Sequence, residues 1–176
     1  MKATTRVGDL VEIPECYIKI PGKRTIRFRI LPEIGDQKGA KYGGEDIIGR
    51  SSPVVIYNNS DARKISMDIH FITLKKKDID RNRRDLWALM SCTYPNPGEN
   101  GVPYKPPTVC LLKCGLLLGR RGVCAILENY NIKYAPDVPW DRQTMLPYKF
   151  DLSTSWQVVY ASSDLPGADR IFTTGA

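Results

Sequence analysis

A chain of 176 residues with 42% hydrophobic and 26% charged side chains has the composition of one folded domain, which excludes intrinsic disorder and a second sizeable core. The formal net charge of +7 favours anionic partners, whether nucleic acid, an acidic membrane surface or an acidic protein. No run of about 18 apolar residues occurs, and the polar start MKATTRVGDLVEIPEC lacks the apolar stretch of a secretion signal, so folding in a reducing cytoplasm is expected.

The first patterned segment is KRTIRFRI, residues 23–30. Ile26, Phe28 and Ile30 alternate with Thr25, Arg27 and Arg29, the period of a strand with one buried and one cationic face. The following stretch, about 32–46, carries four glycines and mixed charge and reads as a long mobile loop. SPVVIYNNSDARKISMDIHFITL then reads as two strands around a turn at Asn58, Asn59, Ser60 and Asp61. Its second strand buries Ile65, Met67, Ile69 and Phe71 and presents Ser66, Asp68 and His70 on the other face.

From Lys76 the period lengthens. Ile79, Leu86, Trp87 and Met90 fall at helical spacing, Asp78 or Asp80 is available as a cap, and Arg81, Arg83 and Arg84 cover the opposite face. TYPNPGENGVPYKPP stops this helix with five prolines and two glycines. Three further strands are expected at TVCLLKCGLLL, RGVCAILENYNIKY and YKFDLSTSWQVVY. In the middle one Cys124, Ile126, Tyr130 and Ile132 share a parity that Glu128 interrupts; in the last, Phe150, Leu152, Trp156, Val158 and Tyr160 share theirs. Residues 135–147 form a long connection, and 162–176 a polar tail. The order β, β, β, helix, β, β, β implies a mainly β antiparallel sandwich or barrel with one helix packed on it.

Little in the chain points to catalysis. Cys16, Cys92, Cys110, Cys114 and Cys124 are odd in number and scattered through apolar segments, which reads as buried free thiols rather than a disulfide framework. Cys110, Cys114, Cys124 and His70 bear metal-binding groups, yet the spacing lacks a CxxC knuckle and a second histidine, so no metal or cofactor is expected. His70 is the only histidine, and no GxSxG, HExxH or paired-carboxylate pattern accompanies it. GRRG at 119–122 and YGGED at 42–46 read as turns rather than phosphate loops. Two basic sets stand out: Lys19, Lys23, Arg24, Arg27 and Arg29, and Lys75, Lys76, Lys77, Arg81, Arg83 and Arg84. Such clusters suit phosphate, with Phe28 and Tyr42 as stacking rings, or an acidic patch on a neighbouring protein.

Four segments in order, IIGRSSPVVIYNNSDARKISMDIHF, the helix ending in LWALMSCTYPN, PPTVCLLKCGLLLGRRGVCAILENYNIKY and LPYKFDLSTSWQVVY, resemble the tail-tube initiator family. These are baseplate and tail-tube junction proteins of contractile phages and related injection systems. The likeness rests on Gly49, Arg50, Ser51, Pro53, Val54 and Tyr57, on Leu89, Ser91, Tyr94 and Pro95, on Pro106, Pro107 and Gly115, and on Gly122 and Val123. It covers about residues 44–161.

The resemblance implies the tail-tube fold, two packed antiparallel sheets forming a split β-barrel with a flanking helix, six copies closing into a ring. It implies a non-enzymatic virion protein at the baseplate-hub and tail-tube junction, assembled in the host cytoplasm, that initiates tube polymerisation. Its partners are then itself, the adjacent hub and tube proteins, and genomic DNA passing through the lumen without sequence-specific contact, with no membrane. Subunit-interface candidates are Arg27, Arg29, Lys41, Tyr42, Arg50, Asp68, His70, Arg81, Arg83 and Arg84, with the 32–46 segment as an arm across the neighbour. The alternative from a different class is a basic single-domain nucleic-acid-binding protein; an enzyme built on His70 comes third.

Overall fold

The computed structural model describes residues 11–98 and 103–160. The strands are β1 (Cys16–Ile20), β2 (Arg24–Arg27), β3 (Glu33–Gln37), β4 (Ala40–Glu45), β5 (Val54–Ser60) and β6 (Lys64–Ile72). The helix α1 (Lys76–Met90) and a 3-10 turn at Ser91–Thr93 follow, then short β7 (Asn96–Pro97) and β8 (Tyr104–Lys105). The chain continues as β9 (Cys110–Cys114), β10 (Val123–Tyr134) and β11 (Lys149–Val158). Among the described residues the protein is mainly β with one α-helix, and every strand pairing is antiparallel. Among the described residues no helix is long and apolar enough to cross a membrane.

Alternation decides what each strand buries. One sheet runs β2-β1-β9-β10-β11-β6-β3. Its inner face carries Cys16, Ile18 and Ile20 from β1, Leu112 from β9, Ile65, Met67, Ile69 and Phe71 from β6, and Phe150, Leu152 and Trp156 from β11. Within that face Trp156 is fully buried and donates its Nε1 hydrogen to Thr154 at 2.8 Å, which satisfies the one polar group the indole brings inside. Four strands separate β2 from β6 in the sheet order, yet α1 packs against both. The sheet is therefore curled, and the helix fills the space between its two approaching ends.

The expected mainly β, antiparallel architecture with one helix is present among the described residues, but the main sheet does not close into a barrel. β4 and β5 leave the main sheet and pair only with each other, so the strand series ends at β3, and among the described residues β2 and β3 do not pair to close it. The two strands expected around Asn58–Asp61 are present as β5 and β6, but they do not pair with each other. Asn58 and Asn59 lie within β5, whose partner is β4, while β6 pairs with β11 and β3.

The 32–46 segment is no loop: it contains β3 and β4. Its glycines serve close approach between strands. A Cβ at Gly35 would stand 2.4 Å from Ser66 Oγ on β6, and one at Gly43 would stand 3.2 Å from Asn58 on β5. The turn from β9 to β10 makes a stricter demand at Gly122, where φ is +79° and a Cβ would meet the Leu112 carbonyl oxygen at 2.4 Å.

In β10 the buried residues are Val123, Ala125 and Leu127, the parity opposite to that expected, and Cys124 is exposed. A register shift between Leu127 and Asn129 then moves the alternation by one, so Tyr130 and Ile132 pack against the core as expected. Glu128 marks the bulge. The last strand buries Phe150, Leu152, Trp156 and Val158 as its alternation requires. Residues 162–176, expected as a polar tail, lie outside the described residues.

On α1, Ile79 and Leu86 are buried as expected, but Trp87 is 58% exposed and Leu89 takes the core position. Asp78, Asn82, Asp85 and Leu89 follow spacings of four, three and four residues, one stripe of the helix, whereas Trp87 falls off it. Leu89→Ala is expected to lower unfolding stability by about 2–5 kcal/mol. Trp87→Ala is expected to cost less than about 1 kcal/mol. Urea denaturation of both variants checks the assignment, and a larger loss at Trp87 than at Leu89 contradicts it.

Candidate assembly surface

The buried stripe of α1 is polar as well as apolar, and arginines from β2 and its continuation meet it. Arg29 Nη1 donates to Asp78 Oδ1 at 2.8 Å, with both side chains largely buried. The other Asp78 oxygen accepts the Lys75 backbone N–H at 3.0 Å, so one carboxylate starts the helix and anchors it to the sheet. About two turns further on, Arg24 Nε contacts Asp85 Oδ1, and at the C-cap of the helix Lys23 Nζ donates to Ser91 Oγ at 3.0 Å. Arg81 reaches back to Glu12 at 2.7 Å and lies 3.6 Å from Asp85. On the β6 side, Asn82 Nδ2 donates to the Ile72 carbonyl and to Thr73 Oγ1, both at 3.2 Å.

Electrostatics differ along this seam. Burial opposes ionisation of Asp78, but the Arg29 guanidinium and the Lys75 amide outweigh it and hold the carboxyl below its ordinary range. Glu12 is lowered in the same way, its burial outweighed mainly by Arg81. Asp85 goes the other way: burial raises it, and Arg24 and Arg81 offset only part of that. Above the seam lies an open cleft of about 580 Å³ lined by six basic side chains, Arg24, Arg27, Arg29, Lys77, Arg81 and Arg84, against two acidic ones, Glu12 and Asp78.

Two expected interface residues, Arg29 and Arg81, thus already have partners within the chain. Arg27 is exposed, 3.6 Å from Glu12. Arg83 stands 5.1 Å over the Trp87 ring and pairs with Asp80 at 3.2 Å on the outer flank of the helix, and Arg84, which lines the cleft, donates from Nε to the Asp80 carbonyl at 3.1 Å. Asp68 and His70 are half-buried on the outer face of β6. His70 Nδ1 is 2.6 Å from Asp151 Oδ1, its register partner on β11, a contact the sequence reading missed because it depends on which strand lies alongside. Cys110 and Cys114 face the core while Cys124 and His70 do not. Among the described residues no group of three or more His, Cys, Asp or Glu side chains is placed to hold a metal.

Lys41, Tyr42 and Arg50 belong to a different surface, the two-stranded ribbon of β4 and β5. Tyr42 meets Tyr57 edge-on with centroids 5.8 Å apart, and Lys41 pairs with Asp61 at 3.0 Å. Nearly every side chain of the ribbon is exposed, including Tyr42 at 63% and Val55 at 66%, with Ile56 and Tyr57 beside them. Ile47, Ile48 and Arg50 are exposed in the loop at its end. Val55, Ile56 and Ile48 were not among the expected interface residues; an apolar VVIY run that fails to alternate with core residues was the available signal. A comparison with protein-family models finds no match, and neither does one with curated protein sequences.

Asp78→Asn is expected to cost about 3 kcal/mol, because it leaves Arg29 buried without its counter-charge. The lowered Asp78 and Glu12 contribute stability above the unfolded carboxylate range, roughly pH 4, and lose it as pH falls through their folded values. Asp85, being raised, works in the opposite sense, its protonation favouring the folded chain. Urea midpoints of wild type should therefore fall below about pH 4, and fall less steeply in Asp78→Asn. Parallel curves for the two proteins would remove Asp78 from this account.

Proposed function

We propose that this chain is a structural ring subunit at the junction of baseplate hub and tail tube in a contractile injection machine, the ring on which tube polymerisation begins. Six copies, each a tail-tube-type fold with its flanking helix, close around a lumen through which DNA passes. The observation that carries the reading is the β4–β5 ribbon, a separate two-stranded sheet among the described residues with Tyr42, Val55, Ile56 and Tyr57 exposed. Isolated two-stranded ribbons are marginal in water, so this one calls for a surface to lie on. A head-to-tail contact repeated around a closed axis supplies that surface in every subunit at once. The likeness of the GRSSPVVIY segment to the tube-initiator pattern falls on this ribbon and its loop, which supports the same reading.

Charge fits the assembly as well. The cleft over the β2–α1 seam and the Arg83 flank offer a basic surface to acidic patches on neighbouring rings, and such pairing sets register more than affinity. A DNA conduit functions best with few phosphate-holding groups on its wall, so Arg27 and Arg29 belong away from the lumen. A second reading, nucleic-acid binding by the same cleft, is favoured by its six basic side chains.

Electron microscopy of the purified protein and of particles containing it is expected to show six-fold rings at the baseplate end of the tube. A monomer at assembly concentrations, absent from particles, overturns the reading. Paired substitutions Tyr42→Asp and Val55→Asp should abolish ring formation while leaving the unfolding transition within about 1 kcal/mol of wild type. Affinity for DNA that falls by orders of magnitude as salt rises, in protein that forms no rings, would select the nucleic-acid reading instead.

A further inference from the structure

Four of the five cysteines sit in the core as two pairs. Cys16 and Cys114 face each other across β1 and β9, their Sγ atoms 2.8 Å apart; Cys92 and Cys110 are 3.7 Å apart. Register separates the two cases. The Cys16 carbonyl accepts from Phe28 N at 3.2 Å, on the β2 side, so Cys16 turns its backbone groups away from β9, while the Glu15 carbonyl just before it accepts from Gly115 N at 2.9 Å. In antiparallel ladders a pair turned away in this sense is of the non-hydrogen-bonded kind, and here that pair is Cys16 and Cys114. Cα atoms in such pairs lie about 4.5 Å apart, within the roughly 4.4–6.8 Å that a disulfide spans. Cys92 and Cys110 instead turn their sulfurs toward carbonyl oxygens, Ala88 at 3.2 Å and Thr108 at 3.6 Å, which is a contact between thiols.

We propose that Cys16 and Cys114 are an oxidation site, a dithiol that closes to a disulfide and locks β1 to β9. The oxidant is a small disulfide of the glutathione type. One cysteine thiolate attacks it, forming a mixed disulfide and releasing one small thiol; the second cysteine attacks the mixed disulfide and releases the other. Two protein thiols become one S–S bond, and one small disulfide is reduced to two thiols. Burial, with the contact to Cys114, pushes the Cys16 thiol up to about 12, so little attacking thiolate exists in the folded chain at neutral pH. The reaction belongs to folding, or to local opening of the β1–β2 hairpin. In a reducing compartment the pair stays open, and it closes when the chain folds or opens in an oxidising medium.

The bond joins positions 98 residues apart and ties the strand next to β2, which carries the arginines of the helix seam, to the centre of the sheet. The test is to refold the full chain from urea in mixed oxidised and reduced glutathione, alkylate the remaining thiols, and map peptides by mass spectrometry. The expected map contains a Cys16–Cys114 linked peptide with Cys92 and Cys110 alkylated, and it is unchanged in Cys124→Ala. The oxidised chain should also unfold at higher urea than the reduced chain, a difference that vanishes in the Cys16→Ala, Cys114→Ala double variant. Recovery of Cys16 and Cys114 as alkylated thiols from fully refolded wild type, or linked to any other cysteine, overturns the proposal. The peptide map of wild type decides the matter even where the double variant fails to fold.

Discussion

The arrangement of the molecule turns on the ion pairs between β2 and α1. A sheet of seven strands with one helix has too few layers to cover its inner face unless it curls, and a curled sheet leaves a gap where its ends approach. α1 fills that gap, held to one end by Arg24, Arg29 and their aspartates and to the other by Asn82. Apolar packing from Ile79, Leu86 and Leu89 supplies contact area. The charged pairs add direction, because a guanidinium and a carboxylate at 2.8 Å fix one helix rotation where a smooth apolar stripe accepts several.

Much of this was legible in the residues. The period-2 runs at 26–28, 65–71 and 150–158 and the helical period from Ile79 onward each follow from side-chain geometry over a few neighbouring residues. What escaped depends on partners distant in the chain. Glycines at 35 and 43 look like loop residues until Ser66 and Asn58 are placed against them. Asp85 looks like a surface charge until β2 is brought to the helix. In β10 the interruption at Glu128 was visible, but only the ladder with β11 reveals it as a bulge that reverses which residues face inward.

The candidate surface was readable to a similar degree. Lys41 and Tyr42 were singled out and lie on the ribbon, with Arg50 in the loop at its end, yet Val55 and Ile56 escaped because an apolar run reads as core by default. The basic clusters were equally evident, whereas their division into Arg29 and Arg81, held in the β2–α1 seam, and Arg83 and Arg84, held to Asp80 within the helix, was not. Composition counts charges; only the fold says which are already neutralised.

The ribbon also bears on how long the free chain can remain safely in solution. Its seven-residue strand extends roughly 20 Å, with outer edges that pair with no other strand among the described residues and aromatic and β-branched side chains on its faces. That combination is sticky toward any other exposed strand, and encounters of the wrong kind rise with concentration and waiting time. Lys41, Glu45, Asp46 and Arg50 along its margin act as gatekeepers that slow such encounters without preventing them. If the proposed ring is correct, the free chain is in a race between docking on its neighbour and self-association, and its yield depends on how soon that neighbour arrives.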